Sequence, residues 1–444
     1  MTKLLATLLV VIVCLLSGAD AQKHAAKPAL STSHQLLSLK VKGTTRYTDQ
    51  EILAASGLQL GQDAAEADFK EAARRLAASG LFSEVAYQFS YSDAGAKVEF
   101  QLADNLNNKL VPVCFENLVW FTDDELLAAL QKRVPLFKQS LPESGHLPDE
   151  VTAALQSMLT EKHLPGRVDF MREAKPDGGD LVGTVYRVEE VSIRIHNVEF
   201  PGASPEQAVF LTRAAHILIG AEYLRSKIAA LAKFDLLPLY LQRGYLKAAF
   251  ALSDAHVVTG AEPNSEAAPF DEVEVDATLP VAPGNVYSIS GVTWKGNSAV
   301  GTDEASRLFH LTTGQPADAV RLARDTENLT RLYRSRGYMT LQIKPDAQLD
   351  DQNNTVHYDM NITEGELYRM GELQILGVDT PSHDRLLEAW TLREGDPYNA
   401  DFAKKFIDTA SRLLPKGFQY TVKVEETLND KDKAVDVTIR FKPL

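Results

Sequence analysis

The sequence has very little cysteine, no excess of positive charge, and no long apolar run beyond its first residues. Only two of its 444 residues are cysteine, Cys14 and Cys114, which excludes the disulfide-dense scaffolds of small secreted domains. A formal net charge of −14, with no basic stripe, argues against nucleic acid as a partner. The remaining composition, 45% hydrophobic and 24% charged, is that of globular domains with real cores. The length predicts several such domains rather than one.

Motifs for catalysis or cofactor binding are also missing. No H-E-x-x-H, nucleophile-elbow or phosphate-loop pattern occurs, and the ten histidines are scattered, with His146 and His163 placed at the surface beside a helix. Oxygen-bearing side chains at 350–354 could in principle bind calcium, but a solvated hairpin tip is the interpretation we favour because EF-hand spacing is absent. We therefore predict no catalytic residue, no cofactor and no metal. An enzyme with a site assembled between domains is the remaining alternative, and no polar cluster supports it.

The N-terminus has the order of a secretory signal peptide. Lys3 precedes the apolar run from Leu4 to Leu16, and small residues end at Ala21, after which cleavage is expected. A membrane anchor is the alternative, but the apolar run is shorter than the roughly 20 residues that a spanning helix needs. No later segment predicts a transmembrane helix. Cys114, within the apolar run LVPVCF, is predicted to be a buried small hydrophobe rather than a nucleophile.

Glycines recur at fixed distances and indicate an internal repeat. Four pairs are each separated by 18 residues, and a third glycine follows each pair after a helical stretch, with an aromatic residue after it in the later repeats. The residues of this pattern are Gly43, Gly61, Gly80, Gly202, Gly220, Gly244, Tyr245, Gly296, Gly314, Gly337, Tyr338, Gly377, Gly395, Gly417 and Phe418. A divergent fifth copy, closed by Gly166, fills the gap between the first and second pairs.

Each copy predicts the same order of elements. A period-2 run ends at the first glycine and makes a strand, and threonine capping boxes at Thr48 and Thr122 begin short helices. A longer amphipathic helix follows and ends at the closing glycine, which supplies a left-handed cap for the aromatic to pack behind. Two alternating runs, joined by a turn-rich loop such as 346–354, complete the unit. The fold class is therefore α+β, a tandem and elongated array of β-α-α-β-β modules.

We assign a signal peptide and five modules. Their ranges are 1–21 for the signal peptide, 35–105 for module 1, 106–190 for the divergent module 2, 191–284 for module 3, 285–366 for module 4 and 367–444 for module 5. The segment 253–270 in module 3 is predicted to be a long hairpin excursion.

This pattern resembles the POTRA domain, the polypeptide-transport-associated module of outer-membrane assembly and secretion proteins. The residues that carry the resemblance are the strand-end glycines, the helix starts at 220–223 and 395–398, the glycine–aromatic closures, and the segment 362–368 that leads into the next module. The resemblance covers about residues 35–444. Over this range the chain resembles the periplasmic part of BamA-type assembly factors, which carry five such modules before a membrane barrel. No barrel is expected in this chain, so insertion of proteins into the membrane is not implied.

The resemblance implies that the second strand of each module is a sheet edge at which an extended peptide can dock. These strands are expected at 85–91, 167–171, 246–252, 340–343 and 418–424. The candidate docking residues are Leu246, Ala248, Phe250, Thr340, Leu341, Gln342 and Ile343. The alternative is that the edges are only solvent-exposed and are guarded by Lys247, Lys344 with Pro345, and Lys423.

The function that follows is non-enzymatic. The resemblance implies an exported scaffold, periplasmic and at most peripherally associated with the outer membrane, that takes part in the assembly or transport of outer-membrane proteins. Its partners would be unfolded or nascent outer-membrane proteins, or a separate barrel or assembly protein, bound by strand addition. The alternative is a structural adaptor that binds one folded envelope partner and no client peptide.

Overall fold

The computed structural model describes residues 10–12, 33–175, 179–259, 272–410, 412–415 and 419–443. The predicted signal peptide lies outside these residues except for Val10–Ile12, and so do Gly417 and Phe418. The described residues divide into two compact units. The first holds those up to Pro201 together with 205–231 and 252–280, and the second holds 202–204, 232–251 and 281 onward.

The first unit contains modules 1 and 2 and part of module 3. Val10–Ile12, within the predicted signal peptide, forms β1. Module 1 consists of β2 (His34–Lys42), α1 (Asp49–Ser56), β3 (Asp63–Ala64), α2 (Glu66–Ala78), β4 (Phe82–Ser92) and β5 (Gly95–Asp104). Module 2 consists of β6 (Leu110–Phe115), α3 (Asp123–Arg133), β7 (Ser140–Pro142), α4 (Leu147–Glu161), β8 (Arg167–Ala174) and β9 (Leu181–Glu189). Module 3 contributes β10 (Ser192–Glu199), α5 (Pro205–Ala215), a 3₁₀ turn (His216–Leu218) and α6 (Arg225–Leu231).

The second unit begins with the rest of the helical part of module 3 and contains modules 4 and 5. Module 3 continues with a π turn (Ala232–Leu236), α7 (Leu237–Leu241) and β11 (Ala249–Phe250), then returns to the first unit with β12 (Asp254–Thr259) and β13 (Glu272–Thr278), and ends in the second with β14 (Val281–Ala282). Module 4 consists of β15 (Ser288–Lys295), α8 (Thr302–Leu308), α9 (Ala319–Ser335), β16 (Gln342–Asp350) and β17 (Thr355–Thr363). Module 5 consists of β18 (Arg369–Leu376), α10 (Thr380–Ala389), α11 (Phe402–Ala410), β19 (Tyr420–Asn429) and β20 (Ala434–Pro443).

Five sheets share one topology. In each, the first strand pairs parallel with the third, and the second pairs antiparallel with the third, which gives the orders β2-β5-β4, β6-β9-β8, β10-β13-β12, β15-β17-β16 and β18-β20-β19. A parallel pair needs a long crossover, which the helices between the first and third strands supply. The third strand is therefore central and the second lies toward an edge. This confirms the predicted α+β class. The module boundaries given above stay predictions.

The capping boxes predicted from sequence form as expected. The Thr48 hydroxyl accepts from the Glu51 N–H at 3.2 Å, while the Glu51 carboxylate accepts from the Thr48 N–H at 2.7 Å. Thr122 and Glu125 make the same reciprocal pair, at 3.2 and 2.9 Å. Each box satisfies two backbone N–H groups that the first turn of the helix leaves without an intrahelical partner.

The described repeat glycines adopt the left-handed backbone conformation that glycine tolerates best. All eleven have positive φ, between +76° and +94°. At Gly43, Gly296 and Gly377 a side chain would also collide with a carbonyl oxygen of the neighbouring third strand. The aromatic residue after the closing glycine packs on its helix, with Tyr338 edge-on to Tyr333 at a centroid distance of 5.8 Å.

The closing glycines also join consecutive modules within the second unit, which the sequence did not reveal. The Gly244 carbonyl accepts from the N–H of Tyr287, and the Gly337 carbonyl accepts from the N–H of Tyr368, both at 2.8 Å. Each tyrosine immediately precedes the first strand of the following module. The glycine–aromatic motif therefore ends one module and anchors the next.

The hairpin tip of module 4 reinforces this joint. The Asp351 carboxylate accepts from Lys247 at 2.7 Å and from the Tyr287 hydroxyl at 2.6 Å. The hydrogen bond from Lys247, followed by that from Tyr287, lowers the pKa of Asp351. The loop is shorter than predicted, because residues up to Asp350 belong to β16.

Hydrophobic cores lie between each sheet and its helices. Modules 1 and 2 share one continuous cluster that includes Phe69, Phe100 and Tyr186, so these two modules pack as a single body. In the second unit, module 5 has a cluster of its own, and module 4 has two. The shared core of modules 1 and 2 gives the sheet of module 2 a firm support, and the candidate site lies on that sheet.

Candidate functional site

The prediction that residues 246–252 form the edge strand of module 3 is wrong. Leu246 and Ala248 lie in turns, with hydrogen bonds from their N–H groups to the carbonyls of Gly244 and Tyr245, and Phe250 pairs with β14 in a two-stranded ribbon. Leu246 and Phe250 alternate like strand residues because they are used for packing, Leu246 on the core of module 4 and Phe250 on the ring of Tyr240. The true edge is β12, which lies within the segment predicted as an excursion.

The predicted edge of module 4 is only partly a strand. Thr340 and Leu341 precede β16, and Leu341 is buried in the core, so these two positions are wrong as edge residues. Gln342 and Ile343 do begin β16, although the Ile343 side chain packs on the core. Pro345 lies within this strand, where it removes one backbone donor.

The remaining second strands lie where the topology predicts. In module 5 the strand is β19, and in module 1 it is β4, along which Val10–Ile12 pairs antiparallel. In module 2 it is β8, which extends three residues beyond the predicted range 167–171. Among the residues that the structure describes, no strand pairs with the outer side of β8.

The backbone of β8 presents hydrogen-bonding groups to solvent. In an antiparallel ladder the N–H and C=O of alternate residues face the partner strand, and those between face away. The N–H of Val168 is bound by the side chain of Gln156 at 2.8 Å, so residue 168 and, by alternation, Phe170 and Arg172 face away from β9. The N–H of Phe170 bonds to the Asp169 carboxylate at 2.8 Å, and Arg172 has no such local cap among the described residues. The open part of the edge is centred on Arg172.

The two faces of this sheet differ in what they carry. Phe115, Tyr186 and Phe170 form a row of aromatic rings on the helix side, with centroid distances of 6.4 and 5.7 Å. The neighbouring row, Cys114 beside Val185 beside Met171, must then lie on the outer face because side chains alternate along a strand. Met171 is 48% exposed.

The prediction that Cys114 is buried is wrong. Its thiol is exposed, because residue 114 points away from the helices, to the opposite side from Phe115. Burial of part of the side chain, and then the carboxylates of Glu173 and Glu116, raise the pKa of the thiol. The thiol therefore stays protonated and weakly nucleophilic at neutral pH.

A groove of about 690 Å³ lies along this row. Its other wall comes from module 3 within the same unit and includes Leu224, Ala229 of α6 and Leu252, the last of these 63% exposed. The groove reaches the open edge, because Met171, Arg172 and Glu173 also line it. The volume is within the range of pockets that bind small ligands or side chains.

Polar contacts hold the wall of the groove in place. The Arg225 guanidinium, 13% exposed, donates to the Asp123 carboxylate at 2.6 Å and to the Phe115 carbonyl at 3.2 Å. The Ser226 N–H donates to the Glu116 carboxylate at 3.0 Å, and its hydroxyl bonds to the same oxygen. These bonds fix the start of α6 against the end of β6. Sequence reasoning could not find this wall, because it depends on the packing of α6 on a strand more than 100 residues earlier.

Residues 287–365, which lie within the predicted range of module 4, match the family profile described as "POTRA: Surface antigen variable number repeat". Module 4 is thus similar to the POTRA domain. Its β-α-α-β-β order and strand pairing are those of the other four modules. The predicted resemblance of this chain to POTRA-bearing assembly factors is therefore confirmed.

Two curated relatives are similar to longer parts of the chain. A putative outer membrane protein assembly factor of Treponema pallidum (strain Nichols) is 22% identical over 288 residues, covering 63% of this chain and 33% of that protein. The outer membrane protein assembly factor BamA of Buchnera aphidicola subsp. Acyrthosiphon pisum (strain APS) is 24% identical over 174 residues, covering 39% of this chain and 28% of that protein. The chain thus spans about a third of the length of the curated relatives that it matches.

A solved structure, Haemophilus influenzae BamA POTRA3-5, aligns with 57% of this chain and 96% of its own, at 19% identity and a TM-score of 0.43. Within the described ranges, no helix is long and apolar enough to cross a membrane. Nor do three or more metal-binding side chains cluster in the part of the chain that the structure describes.

Proposed function

We propose that this chain is an exported, non-enzymatic scaffold that binds extended segments of unfolded or nascent envelope proteins by strand addition, in the assembly or transport of outer-membrane proteins. The observation that carries the proposal is the open edge of β8, which adjoins an apolar groove. The similarity to outer membrane protein assembly factors supports the biological setting.

Strand addition suits a scaffold with many clients. An added strand is held mainly by main-chain hydrogen bonds, which every sequence can make, while side-chain contacts supply preference. At β8 the N–H of Arg172 faces away from β9 without a local cap among the described residues, and the groove offers apolar surface to the side chains of the incoming strand. The predicted signal peptide and the relatives together favour a periplasmic location with at most peripheral attachment to the outer membrane. A separate barrel or assembly protein would be a further partner.

Two substitutions at one position test the proposal. Arg172→Pro removes an N–H that faces away from β9, so it should leave the existing ladder intact while removing a donor to an incoming strand. Arg172→Ala keeps that donor and is the matched control. Binding of a labelled peptide of about ten residues, taken from a barrel strand of an outer-membrane protein, is measured by fluorescence anisotropy with the full exported chain.

We expect Arg172→Pro to weaken binding about fivefold or more relative to Arg172→Ala, because one net hydrogen bond and the local fit of the edge are lost. Circular dichroism and the thermal midpoint establish that both variants fold. Equal binding by the two variants would place the peptide elsewhere. If the chain bound one folded envelope protein tightly and bound no peptide, it would instead be a structural adaptor.

A further inference from the structure

We infer that the β8 edge is selective, and that it prefers an antiparallel segment reading basic, acidic, apolar, apolar from its N-terminus. This inference rests on the proposed strand addition at β8 and concerns which segments bind there best. It follows from the four residues 170–173 that an incoming strand would face, of which two are apolar and two carry opposite charges.

The alternation of β8 assigns each position to a face. Phe170 and Arg172 point to the helix side, and Met171 and Glu173 point to the outer face, as the aromatic row through Tyr186 requires. An incoming strand would bond to the carbonyl of Phe170, whose N–H is held by Asp169, and to the N–H and carbonyl of Arg172. Met171 and Glu173 would then lie opposite its residues in the non-hydrogen-bonded pairs, where side chains approach most closely.

The residue of the incoming strand that lies opposite Met171 would have apolar surroundings. The residue there would extend the row of Cys114, Val185 and Met171, in which neighbouring residues are paired across the strands. Leu252 lines the same groove and is mostly exposed, so an added apolar side chain would cover surface that now faces water. Opposite Phe170, whose ring is only partly buried against Tyr186, an apolar residue is favoured for the same reason.

The next two positions carry charges of opposite sign with no ion-pair partner among the described residues. Arg172 and Glu173 both lack one, whereas on the same two strands Arg167 and Arg187 each pair with Glu189. Opposite charges across a strand pair are favourable and like charges are unfavourable. An incoming strand therefore gains from an acidic residue opposite Arg172 and a basic residue opposite Glu173.

The register has a defined end. The pairing of β8 with β9 shifts between Glu173 and Ala174, so the regular edge stops at Glu173. A strand antiparallel to β8 meets Glu173 first and Phe170 last, which gives the order stated above. Antiparallel addition is the form we infer, because antiparallel pairs are generally the more stable per residue.

The test compares two labelled peptides that differ only in the order of two charges. Both are capped, of about ten residues, and otherwise made of threonine and valine; one has Lys-Glu-Leu-Leu at its centre and the other Glu-Lys-Leu-Leu. With the full exported chain at low salt, we expect the first to bind on the order of tenfold more tightly, from two favourable pairs exchanged for two unfavourable ones. The preference should shrink at high salt, since these charges are exposed.

A charge exchange in the protein provides the matched control. The double variant Arg172→Glu with Glu173→Lys should reverse the preference while leaving the backbone and the apolar residues of the groove in place. Equal binding of the two peptides by the unsubstituted chain, or a preference that the double variant does not reverse, would overturn the inference but leave strand addition standing. Failure of both peptides and of barrel-derived strands to bind would overturn strand addition itself.

Discussion

Replacing Gly337 by alanine should loosen the joint between modules 4 and 5. Gly337 has φ of +94°, and an added Cβ would lie 2.6 Å from the carbonyl oxygen of Tyr368 and 3.3 Å from the backbone nitrogen of Tyr398. The left-handed conformation alone costs a non-glycine residue roughly 1–2 kcal/mol. The collision with backbone atoms adds roughly 1–3 kcal/mol, because neither atom can move away as a side chain could.

Gly395 offers a control with the same backbone conformation and no crowding. Its φ is +87°, and nothing lies within 4 Å of the position of an added Cβ. Gly395→Ala should therefore carry the conformational cost alone, and the two variants should differ by about 2 kcal/mol from the collision.

Hydrogen exchange followed by mass spectrometry measures the effect locally in the full chain. The N–H of Tyr368 donates to the Gly337 carbonyl, so its exchange reports opening of the joint. We expect exchange at this amide about thirtyfold faster in Gly337→Ala than in Gly395→Ala, the equivalent of about 2 kcal/mol. Equal exchange in the two variants would refute the conclusion that the closing glycine anchors the next module.

Three further outcomes follow from the first unit. Thr122→Ala should lower the stability of module 2 by about 1 kcal/mol in urea unfolding, and Glu125→Ala should add little in its presence, because the two residues form one capping box. Cys114 should react with a maleimide in the folded chain and react more slowly when a peptide occupies the groove; unchanged labelling would mean that the peptide does not cover it. Burial raises the pKa of Tyr47 from 10.0 to about 12, so the stability that its neutral form provides is present below pH 10 and is lost as pH rises from 10 to 12. Tyr47→Phe should flatten that alkaline dependence, and an unaltered dependence would count against it.

The fold could be predicted from glycine spacing because each repeat glycine meets a physical requirement that other residues cannot meet cheaply. The edge strand of module 3 could not be predicted. Leu246 and Phe250 alternate as strand residues do, but they pack on the core of module 4 and on the ring of Tyr240. Cys114 was misplaced for a related reason: an apolar run such as LVPVCF does not reveal which of its residues face the helices. The groove was beyond prediction, because one wall comes from another module and depends on the burial of Arg225 against Asp123.

Hydrogen exchange at single-residue resolution, with and without a bound barrel-strand peptide, tests whether an extended segment adds to β8. Arg172 provides the critical amide, because its N–H faces solvent in the free chain. We expect the peptide to slow exchange at Arg172 and to leave exchange in β16, the exposed edge of module 4 that contains Pro345, unchanged. Strand addition at β8 would be contradicted if saturating peptide gave no added protection at Arg172, or if the protection were confined to β16.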